Sequence, residues 1–340
     1  MKTRVAGSRR KPGEADVRGV QNERIPLVRR FPKLASIPRV ALTHPFTPVE
    51  HVASISPNLW IKRDDLCADP LGGNKVRALE FLLAGLHEDD RVVTVGSAGS
   101  THALAVATHA ARLRARVLVG RWKQEMNPSA TRIAERTSRV ASESPVFASP
   151  VFAYAWAMTQ HLRGARWIAA GGSTPLGVLG HVNAALELID QIDAGALPGP
   201  AAVVVPLGTG GTAAGLALGF AIARRDITVV GVRVVPRVVA RQGHVLRLAT
   251  RTARLIERVA GESVQHVKRT ALVVAHEQYG GAYGRETPAA RDAVEVARLA
   301  ASVGLDTTYS AKAFAFARQA AERGPTLFWL TFDSRSLDAR

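Results

Sequence analysis

Short runs of aliphatic and β-branched residues alternate along the chain with Ala-rich segments of helical periodicity. Leu59-Trp60-Ile61-Lys62-Arg63 is an apolar run ending in a charged cluster; a Gly72-Gly73 turn and an apolar-periodic segment follow, so the order predicts strand, loop and helix N-terminus. A second unit starts at Ala201 and is continuously apolar through Val203-Val204-Val205 to Leu207, as a parallel strand buried on both faces would be. It turns through Gly208-Thr209-Gly210-Gly211-Thr212 into the helix-like Ala213 to Phe220. Alternation of this kind predicts an α/β chain with a largely parallel sheet, and 340 residues suffice for two domains or one large α/β unit. The uncharged stretch from Ala201 to Ala223 is long enough to span a bilayer. Pro206 and the glycine turn divide it into a strand-sized and a helix-sized piece, which predicts a soluble βα unit and no membrane partner.

The two turns carry the chemistry. Lys75 stands at the start of the helix after Gly72-Gly73, near the positive end of a helix dipole. An amine that is partly desolvated there has a lowered pKa, which favours the neutral nucleophile able to form a Schiff base. Such a lysine taken alone is an ordinary solvated cation. At Gly208 to Thr212, glycines let the backbone approach an anion and the first amides of the next helix point toward it, so the turn reads as a phosphate cup. It fits neither Gly-x-x-x-x-Gly-Lys-Ser/Thr nor Gly-x-Gly-x-x-Gly, because Thr212 and Ala213 follow Gly211, and nucleotide readings lose support. A reactive lysine and a phosphate cup together point to a cofactor with an aldehyde at one end and a phosphate at the other, pyridoxal 5'-phosphate.

On these residues the chain resembles the D-cysteine desulfhydrase and 1-aminocyclopropane-1-carboxylate deaminase family of fold-type II pyridoxal-phosphate enzymes. Residues 59–82 resemble its Schiff-base segment, 92–113 its Ser-Asn-His segment and 203–219 its phosphate loop. Residues 171–188, opening with Gly171-Gly172-Ser173-Thr174-Pro175-Leu176-Gly177-Val178-Leu179-Gly180, resemble its Gly-Gly-Ser-x-x-x-Gly-x-x-Gly segment. Tyr283-Gly284 to Pro288 and Asp306 to Ala313 continue the match. The resemblance implies two αβα domains with the cofactor between them, a small domain of 78–188 inserted into a large one of 25–77 and 189–340, a homodimer, and a small amino-acid substrate. By the same resemblance Lys75 holds the cofactor and then moves the substrate's α-proton, with Asn74 and Gly73 shaping its turn. Gly208, Thr209, Gly210, Gly211 and Thr212 hold the phosphate, Ser100 lies by the substrate carboxylate and Tyr309 lies near the substrate. Ser310 matches the position opposite the pyridine nitrogen, where deaminase-type members carry glutamate and desulfhydrase-type members a hydroxyl. A neutral hydroxyl makes the ring a weaker electron sink, which suits β-elimination from a good leaving group better than opening of a cyclopropane. The expected activity is therefore desulfhydrase-like, releasing sulfide, ammonia and a 2-oxo acid.

Three departures keep other readings open. Thr101 replaces the asparagine that bonds the cofactor's phenolic oxygen, residues 121–166 do not resemble the family's small-domain sequence, and Leu330 to Ser336 replace a His-Thr-Gly-Gly segment near the ring. Cyclopropane ring opening and a cofactor-binding protein with little catalysis remain the alternatives.

Charge raises a rival class. The net charge is +17, from 45 basic and 28 acidic residues, and Arg247, Arg251, Arg254 and Arg258 follow helical spacing, as a stripe facing phosphates would. No zinc-ligand set, RNA-binding sheet signature or helix-turn-helix pattern accompanies them, and arginine is dispersed throughout, so the stripe reads as a solvated face without a specific nucleic-acid partner. The single Cys67 excludes an internal disulfide framework and fits a reducing compartment; with no base beside it, it reads as inert. The basic N-terminus has no apolar core behind it and includes Glu14, Asp16 and Glu23, which predicts a mobile tail over 1–24 and a cytoplasmic protein.

Overall fold

Two separate, mostly parallel sheets organise the chain in the computed structural model, which describes residues 25–337; the tail expected over 1–24 lies outside the described residues. The chain runs through helix α1 (Pro26–Arg30), strands β1 (Val49–His51) and β2 (Leu59–Arg63), and helix α2 (Asn74–Leu82). Strands β3 (Arg91–Ser97), β4 (Arg116–Trp122), β5 (Val146–Phe147) and β6 (Arg166–Ile168) then alternate with helices α3 (Thr101–Arg112), α4 (Pro128–Val140) and α5 (Pro150–Leu162), and α6 (Pro175–Asp193) follows. The remainder carries β7 (Ala202–Leu207), α7 (Gly211–Ile222), β8 (Thr228–Arg233), α8 (Gln242–Ala260), β9 (Leu272–Ala275), α9 (Pro288–Ala301), α10 (Ser310–Ala321) and β10 (Thr326–Leu330).

The larger sheet has the order β1-β2-β10-β7-β8-β9, and only β1 is antiparallel to its neighbour. Strands from both ends of the described chain therefore share one sheet, while the middle segment builds the four-stranded sheet β5-β4-β3-β6. The reason β7 reads as uninterrupted apolar sequence is visible in its packing. Val203 and Val205 face one core with α6, α7 and α8, and Val204 faces another with the alanines and Phe314 of α9 and α10. With both faces covered, alternation has nothing to report. Helix α6 buries Val178, Leu179, Val182 and Leu186 in the core of the larger sheet, although it follows the last strand of the smaller one. The apolar stretch 201–223 is β7 plus α7, and no helix among the described residues is long and apolar enough to cross a membrane.

Charges that the sequence places at the end of β2 are buried and paired. Lys62 donates to Glu187 at 2.6 Å and to the Thr47 carbonyl at 2.8 Å. Arg77 on α2 donates to Glu187 at 2.8 Å and to Asp64 at 2.6 Å, and Asp64 also accepts from the Trp329 indole at 2.7 Å. Burial pushes Glu187 up, but Arg77 and Lys62 outweigh it and hold its carboxyl down at about 2. The network joins β2, α2, α6 and β10, and it reaches α2 through Arg77, two residues after Lys75. On α8, Arg247, Arg251, Arg254 and Arg258 are exposed while Val245, Leu248, Ala249 and Ile256 are buried, so the arginine stripe is the outer face of an amphipathic helix. Cys67 is buried against the backbone of Gly73, and desolvation raises its thiol far above the ordinary value, which leaves it protonated.

Candidate active site

The turn before α2 is held by its contacts with the end of β10. Gly73 has φ +130°, and a Cβ there would lie 2.4 Å from the Thr331 carbonyl oxygen, so only glycine permits the approach. The Asn74 amide donates to that carbonyl at 3.1 Å. Lys75, in the first turn of α2, lines a cavity of about 470 Å³, within the range of roughly 300–1,000 Å³ usual for small-molecule sites. Desolvation lowers its amine to about 8. A fraction of the amine is therefore neutral near neutral pH, the form that attacks an aldehyde.

Asn74 ties this lysine to the glycine turn, because its side-chain amide donates to Thr212 Oγ1 at 2.6 Å. Gly208 and Thr209 line the same cavity. A Cβ built on Gly208 would meet nothing nearer than Tyr309 Cε1 at 3.9 Å, so the turn leaves open space on the cavity side. Thr209 Oγ1 pairs with Ser173 Oγ at 2.6 Å, and Gly171 passes so close that a Cβ would lie 2.0 Å from Thr209 Oγ1. Gly210 is the left-handed N-cap of α7, and the N–H groups of Gly211, Thr212 and Ala213 have no acceptor within the helix. Open space, hydroxyls and an unpaired helix N-terminus suit a phosphate, and an amine of lowered pKa suits an aldehyde. The residues present fit pyridoxal phosphate.

The remaining wall comes from the smaller sheet and from the C-terminal segments. Ser100 caps α3, accepting from the Ala103 amide at 3.3 Å, and still lines the cavity together with Thr101. His102 bonds Thr94 Oγ1 through Nε2 at 3.1 Å, and Thr94 donates its own proton to the Ile168 carbonyl at 2.9 Å. Thr94 can then only accept from this imidazole, so Nε2 carries the hydrogen. Burial, with Lys75 adding to it, pushes this imidazole down to about 3, so it is neutral. Tyr309 and Tyr283 share a short hydrogen bond between their hydroxyls, and Ser97 Oγ donates to Tyr283 at 3.3 Å. Burial raises both phenols, Tyr309 well above the ordinary value.

Of the residues expected from sequence, the structure brings Lys75, Asn74, Ser100, Thr101, Gly208, Thr209 and Tyr309 to one cavity, with Gly210, Gly211 and Thr212 behind its surface at the start of α7. Ser310 is not among the lining residues. Its hydroxyl is bonded to the Asp306 carboxylate and accepts from the Asp306 amide at 2.8 Å. Asp306 also accepts from the amides of Tyr309 and Ser310 at 2.7 and 3.0 Å, so Ser310 belongs to the cap of α10. In this structure the hydroxyl is thus engaged by Asp306 at the start of α10. Sequence reasoning passed over Ser97, His102, Ser173, Tyr283 and Thr331, which line the cavity or brace it. Tyr283 and Ser173 stand in glycine-rich turns and Thr331 is the first polar residue beyond β10, which is the local signal they carry, but each stands alone in its segment and nothing in the chain says that they meet.

Known proteins resemble this chain over most of its length. Residues 40–331 match the family described as pyridoxal-phosphate dependent enzyme. Nocardicin C-9' epimerase of Nocardia uniformis subsp. tsuyamanensis is 32% identical over 89% of this chain and 94% of its own. D-cysteine desulfhydrase of Salmonella typhi is 29% identical over 83% of this chain and 88% of its own. Among solved structures, an ACC deaminase homologue superposes with a TM-score of 0.75 at 27% identity, over 90% of this chain and 95% of that one.

Proposed function

The chain belongs to the pyridoxal-phosphate dependent enzyme family, and within that family we propose that it catalyses β-elimination from an amino acid bearing a leaving group on its β-carbon. Bound in this cavity, pyridoxal phosphate supplies the aldehyde that takes up the substrate amine and the ring that holds the electrons of the breaking Cα–H bond. The observation that carries the proposal is the chemistry of the lining: among the described residues its polar side chains are hydroxyls, amides, an indole, an imidazole and two amines, and none is a carboxylate. A site without an acidic partner favours a substrate whose own leaving group carries electrons away. The preference for elimination over cyclopropane opening thus rests on the cavity as a whole.

The chain's residues divide the work. Lys75 holds the cofactor and, once the substrate amine has displaced it, takes the α-proton at Nζ; a value of about 8 suits a base working near neutral pH. Gly208, Thr209 and the start of α7 bind the phosphate, with Ser173 fixing Thr209. Ser100, Thr101 and the N-terminus of α3 receive the substrate carboxylate. Tyr309 and Tyr283, protonated because burial raises them, hold a proton that can go to the departing group.

The test is direct. Cofactor-loaded protein should release pyruvate and ammonia from D-cysteine or β-chloro-D-alanine, and borohydride should fix the cofactor to the peptide containing Lys75. An adduct on another lysine, or 2-oxobutyrate from 1-aminocyclopropane-1-carboxylate with no elimination from any β-substituted alanine, defeats the proposal. Exchange of the α-proton with inversion and no release of product would point instead to epimerisation, the activity one relative is named for.

A further inference from the structure

The cavity extends beyond its catalytic corner, and the outer part has a different character. Trp122, at the end of β4, and Tyr154, on α5, stack with ring centroids 6.2 Å apart, and Pro150 stands at the start of the same helix. From the larger sheet's side the segment after β8 contributes Val235, Pro236 and Val239. Tyr154 and Val239 are 42% and 39% exposed, which leaves large apolar surfaces open at a cavity wall. Among the described residues, Lys75 and Lys123 are the cationic side chains of the lining, and no carboxylate lines it.

We propose that this outer wall is a side-chain pocket, and that the enzyme takes amino acids with a bulky uncharged side chain or leaving group, aromatic or branched aliphatic, ahead of those the size of alanine or cysteine. The inference rests on reading the cavity as the cofactor and substrate site. A cysteine-sized side chain leaves the Trp122, Tyr154 and Val239 surfaces in water. An aromatic ring covers them and stacks in the offset geometry such rings favour. A cationic side chain finds no carboxylate to pair with and meets Lys123, so it is rejected. For a β-thioether the step balances: the α-proton passes to Lys75, the Cβ–S bond breaks with its electron pair on sulfur, and the thiolate takes up a proton. The unsaturated amino acid left behind consumes one water and ends as 2-oxo acid and ammonia.

The experiment is a titration of the cofactor-loaded full chain with both enantiomers of alanine, leucine, phenylalanine and lysine, followed by the cofactor's absorption, beside kcat/KM for S-benzyl-cysteine and cysteine. Phenylalanine or leucine should bind at least about tenfold tighter than alanine in one enantiomeric series, and lysine no tighter than alanine. Tyr154→Ser and Val239→Ser should each shrink the ratio of phenylalanine to alanine affinity severalfold, whereas Leu299→Ala, exposed on α9 outside the cavity, should keep it. Alanine binding as tightly as phenylalanine, or both lip variants keeping the parent ratio, overturns the inference. Because the titration needs no turnover, the two readings fail separately. Tight phenylalanine binding without elimination of any substrate sinks the reaction and keeps the pocket, and elimination of cysteine with weak phenylalanine binding does the reverse.

Discussion

Replacing Glu187 by glutamine tests how the Lys75 turn is supported. The carboxylate accepts from Lys62 at 2.6 Å, from Arg77 at 2.8 Å and from the Thr47 amide at 2.9 Å, and the Lys62 and Glu187 side chains are fully buried. The amide keeps the shape and removes the charge, leaving Lys62 buried without its ion-pair partner. Breaking one partner of a buried pair costs about 3–5 kcal/mol. The pH argument reaches a similar figure by another route. Glu187 falls from an ordinary value of 4.5 to about 2 in the fold, and at about 1.36 kcal/mol per pH unit this is worth roughly 3 kcal/mol. Because the folded value is depressed, that stability is fully present above pH 4.5 and is lost as the pH falls through the window toward 2. Urea unfolding at a series of pH values should therefore show Glu187→Gln about 3 kcal/mol less stable than the parent at neutral pH, with the gap closing as the pH drops below 4.5. Retention of the cofactor should weaken as well, since Arg77 lies on the helix that begins with Asn74 and Lys75. A variant within about 1 kcal/mol of the parent at neutral pH, or a gap of constant size down to the acid limit of folding, would refute the reasoning.

Three further outcomes follow from the same geometry. Uptake of pyridoxal phosphate by cofactor-free protein should accelerate with pH and level off above about 8, because the neutral amine attacks and desolvation lowers Lys75 to that value; acceleration that continues to pH 10 would show an ordinary lysine. Asn74→Ala removes the bond to Thr212, a loss of about 0.5–1.5 kcal/mol that should weaken cofactor retention roughly 2- to 10-fold in equilibrium dialysis. Ser310→Ala removes the hydroxyl that accepts from the Asp306 amide and donates to its carboxylate, and should cost about 1–3 kcal/mol in thermal or urea unfolding while the cofactor spectrum stays unchanged; a shifted spectrum at unchanged stability would place Ser310 at the ring.

The candidate site was legible where its chemistry is local. Gly72-Gly73-Asn74-Lys75 and Gly208-Thr209-Gly210-Gly211 are contiguous, and their roles follow from backbone freedom, helix polarity and one amine. Residues that reach the cavity from isolated positions were not. Ser97, Tyr283 and Thr331 each stand in a different segment, and nothing in the chain says that their hydroxyls converge. Ser310 stands beside Tyr309, and its hydroxyl bonds back to Asp306. A short polar side chain near a helix start has a backbone or capping partner within a turn, and that local competitor wins.

By itself the sequence determined the α/β class and the division of 201–223 into strand, turn and helix, and it marked one amine and one glycine turn as the candidates for the site, because periodicity and glycine placement act over a few residues. Only the tertiary structure decided which strands share a sheet. It inserted β10 between β2 and β7, so that Thr331 closes on Gly73 and the two turns face one cavity. It also decided that Lys62, Arg77, Asp64 and Glu187 are a buried support and not a solvated cluster. Charges read one at a time belong at the surface; whether a charge can be buried depends on a partner more than a hundred residues away in the chain, such as Glu187 for Lys62.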